Sequence, residues 1–230
     1  MNYKDPQNKN DFLKFKADVI NKLSDYIDQL ANTDYKNSVN LVYWLKSLTN
    51  FLKREKNFQP KYLPVYKRGS IIFAEMGYNP GSEHGGLHYV IVLDKNDSKA
   101  SSTLTVVPMA STKGKKLNEK FCFDLGEEFY DTLDYKTSAL ISEATKRINS
   151  LDNSQQEEFK AFNKELDIIE SCMEKAKKLK QGGYALLGQI TTISKMRIKE
   201  PTQKQDPLFD VILSEETMNN LSKAISNLYL

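Results

Sequence analysis

RGSIIFAEMGYNPGSEHGGLHYVIVL, residues 68–93, carries short apolar runs with a period near two on either side of a glycine-rich loop. That period places successive side chains on opposite faces, so the flanks are two strands of a sheet rather than turns of a helix. Asn79, Pro80, Gly81 and the pair Gly85–Gly86 punctuate the segment between them, with glycine supplying the positive φ that a tight connection needs. The loop holds Ser82, Glu83 and His84, and His88 enters the second strand on the same face as Val90 and Val92. Both histidines of the chain therefore fall in this one segment, and the chemistry is expected there.

Working outward, TLTVVPM, KFCFDL, YALLGQITTI and PLFDVIL repeat the strand pattern, separated by Gly, Pro, Asn and Asp clusters. The pattern breaks at about Asp131, and 137–181 reads as helical. Ile141, Ala144, Ile148 and Leu151 make one stripe. Phe159, Phe162, Leu166, Ile169, Met173 and Ala176 make a heptad seam, which reads either as packing within the segment or as a groove for a partner helix. Gly182 and Gly183 stand where a C-terminal cap would end that helix.

A last helix is predicted after Ser214, its N-cap, with Met218, Leu221, Ile225 and Leu228 on one face. Before the strands, Phe12, Phe15, Val19, Leu23, Tyr26 and Leu30 predict a helix, and Leu41, Trp44, Leu48 and Phe51 a second one beyond the turn NTDYKNS. Pro60 and Pro64 end this helical region.

The charge balance, 33 basic against 30 acidic residues in a chain of 230, gives a net +3. Any nucleic acid must then be held by a local patch rather than by bulk charge. MNYKDPQNKN lacks the apolar core of a signal peptide, and no apolar run approaches the roughly 20 residues of a membrane span. The expectation is a soluble cytoplasmic protein. Cys122 and Cys172 have neither metal-ligand spacing nor a disulfide framework, and they read as small packing residues. No zinc motif, phosphate-binding P-loop or nucleophile elbow is present, so neither cofactor nor metal is expected.

Arg68-Gly69-Ser70, then Gly81-Ser82-Glu83-His84 and Gly85-Gly86-Leu87-His88-Tyr89, resemble the opening motifs of the PemK/MazF family of toxin endoribonucleases. TVVPMASTK and Leu186–Arg197 resemble two further signatures. The resemblance implies an α+β chain built on a small SH3-like β-barrel, with an N-terminal helical hairpin, an inserted helical hairpin and a C-terminal helix. The expected division is 1–60 as the extension, 61–135 and 183–230 as the barrel core, and 136–182 as the insertion. It also implies a toxin-antitoxin system, cleavage of single-stranded RNA without a metal, an antitoxin partner and a homodimeric core.

The family's catalytic arginine falls on His88, and its Thr or Ser after the third strand falls on Ala110 or Ser111. RNA cleavage needs a 2′-hydroxyl deprotonated, a phosphorane stabilised and a leaving oxygen protonated. His88, Ser111 and Glu83 are the expected catalytic residues. Arg68, Ser82, His84, Thr112, Lys113, Gln189 and Thr191 are the expected RNA contacts, with Arg197 either beside them or a plain surface charge. Histidine in place of arginine, and alanine at 110, keep open a second reading: a non-catalytic binding or regulatory protein on the same fold.

Overall fold

The structure, a computed structural model, describes residues 2, 4–112, 118–148, 156–179 and 182–230, the side chains of 148, 156–161 and 178–179 excepted. It separates into two units, Met1–Lys56 and Asn57–Leu230.

The first unit is a helical hairpin, α1 (Lys9–Thr33) and α2 (Tyr35–Arg54). The turn expected between them shrinks to one residue. Asp34 accepts from the Asn37 N–H at 3.2 Å and from its side-chain amide at 2.7 Å, so a single N-cap starts α2 at once. Helix α1 buries no residue, and Val19 and Tyr26 on its stripe are exposed.

The second unit is an α+β body around an antiparallel sheet of seven strands: β1 (Ile71–Glu75), β2 (Leu87–Val92), β3 (Thr103–Ser111), β4 (Cys122–Gly126), β5 (Gly183–Leu186), β6 (Thr191–Ser194) and β7 (Ile198–Glu200). The order is β4-β5-β3-β2-β1-β7, with β6 also paired to β3. The sheet is not closed by hydrogen bonds, so a complete barrel is not what the pairing displays. Instead the run expected as one strand at 184–193 is split. β5 pairs with Met109–Ser111, a 3-10 turn at Leu187–Gln189 intervenes, and β6 pairs with Thr103–Val106. A second such turn, Lys195–Arg197, then carries the chain from the β3 side to β1, where β7 pairs.

Strand alternation sorts the core. Ile72, Ala74, Val90, Val92, Leu104 and Val106 meet Ile193 and Ile198 on one face. Ile71, Ile91, Val107 and Met109 meet helices on the other.

Those helices are α3 (Glu128–Ile148), α4 (Gln156–Leu179) and α5 (Glu215–Tyr229). The helices α3 and α4 are not accessories standing outside the core, because Phe129, Leu133, Cys172 and Ala176 belong to its main buried cluster. Helix α3 begins at Glu128, well before 137. Gly126, at φ +56°, ends β4, and the Glu128 carboxylate accepts from the Ser214 N–H and the Thr217 hydroxyl at the start of α5. The buried positions of α3 are therefore 129, 133, 137 and 144 at helical spacing, while Ile141 is exposed.

The seam of α4 is likewise rotated. Ile169, Cys172 and Ala176 are buried, whereas Leu166 and Met173 are exposed. Phe159 of the expected seam, Leu151 of the α3 stripe and the end of α4 before Gly182 lie outside the described side chains or residues.

PLFDVIL is not a strand. Asp210 adopts φ +57°, two turns bond Phe209 N to Asp206 O and Val211 N to Leu208 O, and only Ser70 bridges to Ile212. Its apolar residues Leu208, Val211 and Leu213 still enter the core. Ser214 caps α5 as expected, accepting from Thr217 N. Both cysteines are free thiols. Among the described residues no helix is long and apolar enough to cross a membrane, and no three His, Cys, Asp or Glu side chains are grouped for a metal.

Candidate active site

The loop between β1 and β2 is fixed at its base by its own backbone. Met76 N donates to Gly86 O at 2.7 Å and Gly86 N to Gly77 O at 2.6 Å. A Cβ on Gly85 would sit 2.6 Å from that same Gly77 oxygen, so only glycine allows the two arms to cross there. Asn79 donates its side-chain amide to His84 O at 2.8 Å. Gln189, from the turn between β5 and β6, accepts from His84 N at 3.1 Å and donates to Ser82 O at 3.3 Å. Two motifs more than a hundred residues apart are thus joined by one side-chain amide.

This clamp brings His84 and His88 together, with ring centroids 3.9 Å apart and planes tilted by 50°. Burial first, and the neighbouring His88 second, together lower the His84 pKa to about 4. Burial also depresses His88, opposed by backbone hydrogen bonding at Gly85 and Met109 and by the charge of Glu75. Both imidazoles are therefore neutral at neutral pH and able to accept a proton. His84 Nε2 is buried without a hydrogen-bond partner, a cost that a polar ligand atom would relieve.

The two rings line different cavities. One of about 460 Å3 is lined by His88, Ser111, Ala110, Tyr89, Tyr130 and Tyr184, among others. The other, about 400 Å3, is lined by His84, Glu83, Gln189, Thr191, Thr192 and Arg197, among others.

The expected site residues divide accordingly. His88 and Ser111 share the first cavity; Glu83, His84, Gln189 and Thr191 share the second. Ser82 is exposed at the loop surface and contributes its carbonyl to the Gln189 clamp. Thr112 bonds Gly182 O through its backbone N–H at 3.3 Å and its hydroxyl at 3.4 Å. Lys113 lies outside the described residues. Arg68 lines neither cavity: it donates to Met218 O at 2.6 Å and to Ser222 Oγ at 2.7 Å, holding α5 against the sheet.

Sequence reasoning passed over Glu75, which is buried at the end of β1 one residue from Ala74, the register partner of His88. A carboxylate closing an otherwise apolar strand just before a glycine loop was the available signal.

His84 gives the first testable consequence. Its folded pKa, about 4, lies below the ordinary 6.5, so the neutral ring contributes stability above pH 6.5 that is lost as pH falls through 4. The substitution His84→Phe should flatten the loss of stability between those two pH values in urea titrations. An unchanged pH dependence would mean that His84 titrates as a free imidazole.

Residues 67–168 match the sequence profile of the family described as PemK-like, MazF-like toxin of type II toxin-antitoxin system. Curated proteins provide no match to the chain.

Proposed function

We propose, from the match of residues 67–168 to the PemK-like, MazF-like toxins, that the chain is a toxin endoribonuclease that cleaves single-stranded RNA without a metal. The tilted His84–His88 contact, with His88 and Ser111 lining one cavity and His84 lining the other, is the observation that carries this reading.

In this mechanism neutral His88 takes the proton of the ribose 2′-hydroxyl. The 2′-oxygen attacks the adjacent phosphorus, the P–O5′ bond breaks, and the 5′-oxygen leaves with a proton returned from the imidazolium or from water. The products are a 2′,3′-cyclic phosphate and a 5′-hydroxyl. Ser111 donates its hydroxyl to a phosphorane oxygen, the role a fixed donor fills best in a water-poor site. His84 keeps a second neutral imidazole against His88, and Glu83, Gln189, Thr191 and Arg197 offer polar contacts to the strand on its far side.

On this reading 61–135 and 183–230 form a curved, SH3-like core, supported by the passage of β6 into β7 through a single turn. The stretches 1–60 and 136–182 are then an extension and an insertion. An antitoxin, a homodimeric core and action in the cytoplasm follow from the same reading.

Purified protein freed of any antitoxin, incubated with a long RNA in EDTA, should yield discrete ends with cyclic phosphates. Ser111→Ala should slow single-turnover cleavage by roughly 10²-fold; an undiminished rate would remove Ser111 from the chemistry. Absence of any scission, with RNA or protein binding retained and no growth arrest on expression, would favour the non-catalytic reading that His88 and Ala110 motivate.

A further inference from the structure

The helical hairpin of α1 and α2 lies outside residues 67–168, and the proposed chemistry makes no use of it. Its unit, Met1–Lys56, nevertheless holds ten of the twenty exposed large apolar side chains among the described residues, in roughly a quarter of the chain. Six of them stand on α1: Phe12, Leu13, Phe15, Val19, Ile20 and Tyr26, each 42–55% exposed.

At 3.6 residues per turn these six spread over about 160° of the helix circumference. A single neighbouring helix covers a narrower seam, whereas a helix in a four-helix bundle meets two neighbours. Helix α2 buries only Ser38 and Leu41 and leaves Val42, Tyr43 and Leu52 exposed.

Charge says what fits the band. Lys9, Lys14 and Lys16 fall in the first half of α1, Asp25 and Asp28 in the second. Lys14 pairs with Asp11 at 3.9 Å and Lys22 with Asp18 at 2.7 Å, both within the helix. Lys9, Lys16, Asp25 and Asp28 have no ion pair among the described residues. Lys9 in the first turn, and no base in the last, also run against the dipole of the helix itself. Two such helices laid antiparallel about a two-fold axis near Ile20 set each basic half beside the acidic half of the other. Laid parallel, they would set like charges together.

The area agrees. Six large side chains about half exposed leave on the order of 500 Å2 of apolar surface. With interfaces roughly 57% apolar, that corresponds to a face of about 800–900 Å2 per partner, the size found in stable complexes.

We propose that the hairpin is a self-association surface, on which α1 packs antiparallel against α1 of a second copy and the two hairpins close a four-helix bundle. This contact is distinct from any dimer of the sheet domain, and it does not rest on the nuclease reading.

The test is sedimentation of the full chain over a concentration series at low salt. Lys9→Glu with Lys16→Glu, or Asp25→Lys with Asp28→Lys, should each weaken association roughly tenfold or more, because opposed unlike charges become like ones. All four substitutions together restore unlike charges and should return most of the affinity. Equal amounts of the two double variants should form a mixed species tighter than either alone. Should the sheet domain also dimerise, the wild type sediments as a larger assembly, and either reversal returns it to the dimer.

The substituted side chains are exposed, so the variants should keep their fold, and rescue by the fourfold reversal guards against one that does not. Association unmoved by both reversals, or a chain that stays monomeric throughout, would overturn the proposal and leave the nuclease reading intact.

Discussion

Lys195→Met should destabilise the chain by about 3–5 kcal/mol, the cost of leaving a buried charge without its partner. Lys195 and Asp97 have fully buried side chains and meet at 2.6 Å. The ammonium also donates to Ser98 O at 3.0 Å and lies 5.7 Å from the Tyr66 ring centre, while the other Asp97 oxygen accepts from Tyr66 N at 2.9 Å. Removing the ammonium strands an acceptor that methionine cannot satisfy. The pair ties the loop after β2 to the turn that carries the chain from β6 to β7, so its loss should also loosen the pairing of β7 with β1. In urea denaturation the exposed Lys204→Met should move stability by no more than about 0.5 kcal/mol. A Lys195→Met variant within about 1 kcal/mol of wild type would mean that water or a shifted loop replaces the ion pair.

That pair also marks the limit of what the sequence disclosed. Lys195 stands in a recognisable stretch beside Gln189 and Thr191, yet nothing local distinguishes a lysine destined for full burial from a surface one. Its partner lies 98 positions away. Arg68 misleads for the same reason. Its place in a motif suggested RNA, but α5, some 150 positions onward, claims the guanidinium.

Strands flanking the histidine loop were legible because alternation and glycine punctuation are local signals. The phase of α3 and α4 was not. Spacing alone allows several faces, and the buried one is chosen by a sheet whose edges come from both ends of the domain. Phe129 and Tyr130, read as the tail of a strand segment, became part of a cavity wall once Gly126 turned the chain into α3. Of the site, the loop members could be named in advance. Their division between two cavities depends on Gln189, whose amide reaches the loop from a different motif.

His88→Ala should reduce RNA cleavage by about 10²–10⁴-fold, the usual contribution of a positioned acid or base, while the urea midpoint stays close to wild type because the side chain is only partly buried. The more informative substitution is His88→Arg. An arginine is charged at every working pH and cannot take a proton, although it can steady a phosphorane.

The depressed pKa of His88 separates the two roles. As a general base it is already deprotonated at neutral pH. The rate should then hold level as pH falls from 8 to below 6.5 and decline only on the acid side of that. His88→Arg would abolish both the activity and the limb. If imidazolium charge were the requirement, burial would work against it. The rate would climb as pH falls toward the His88 pKa, and arginine would restore or exceed wild-type cleavage at neutral pH. Glu75 supplies the check on the sign. Its charge opposes the depression, so Glu75→Gln should move the acid limb to lower pH if His88 is the base. Movement to higher pH would assign the limb to another group.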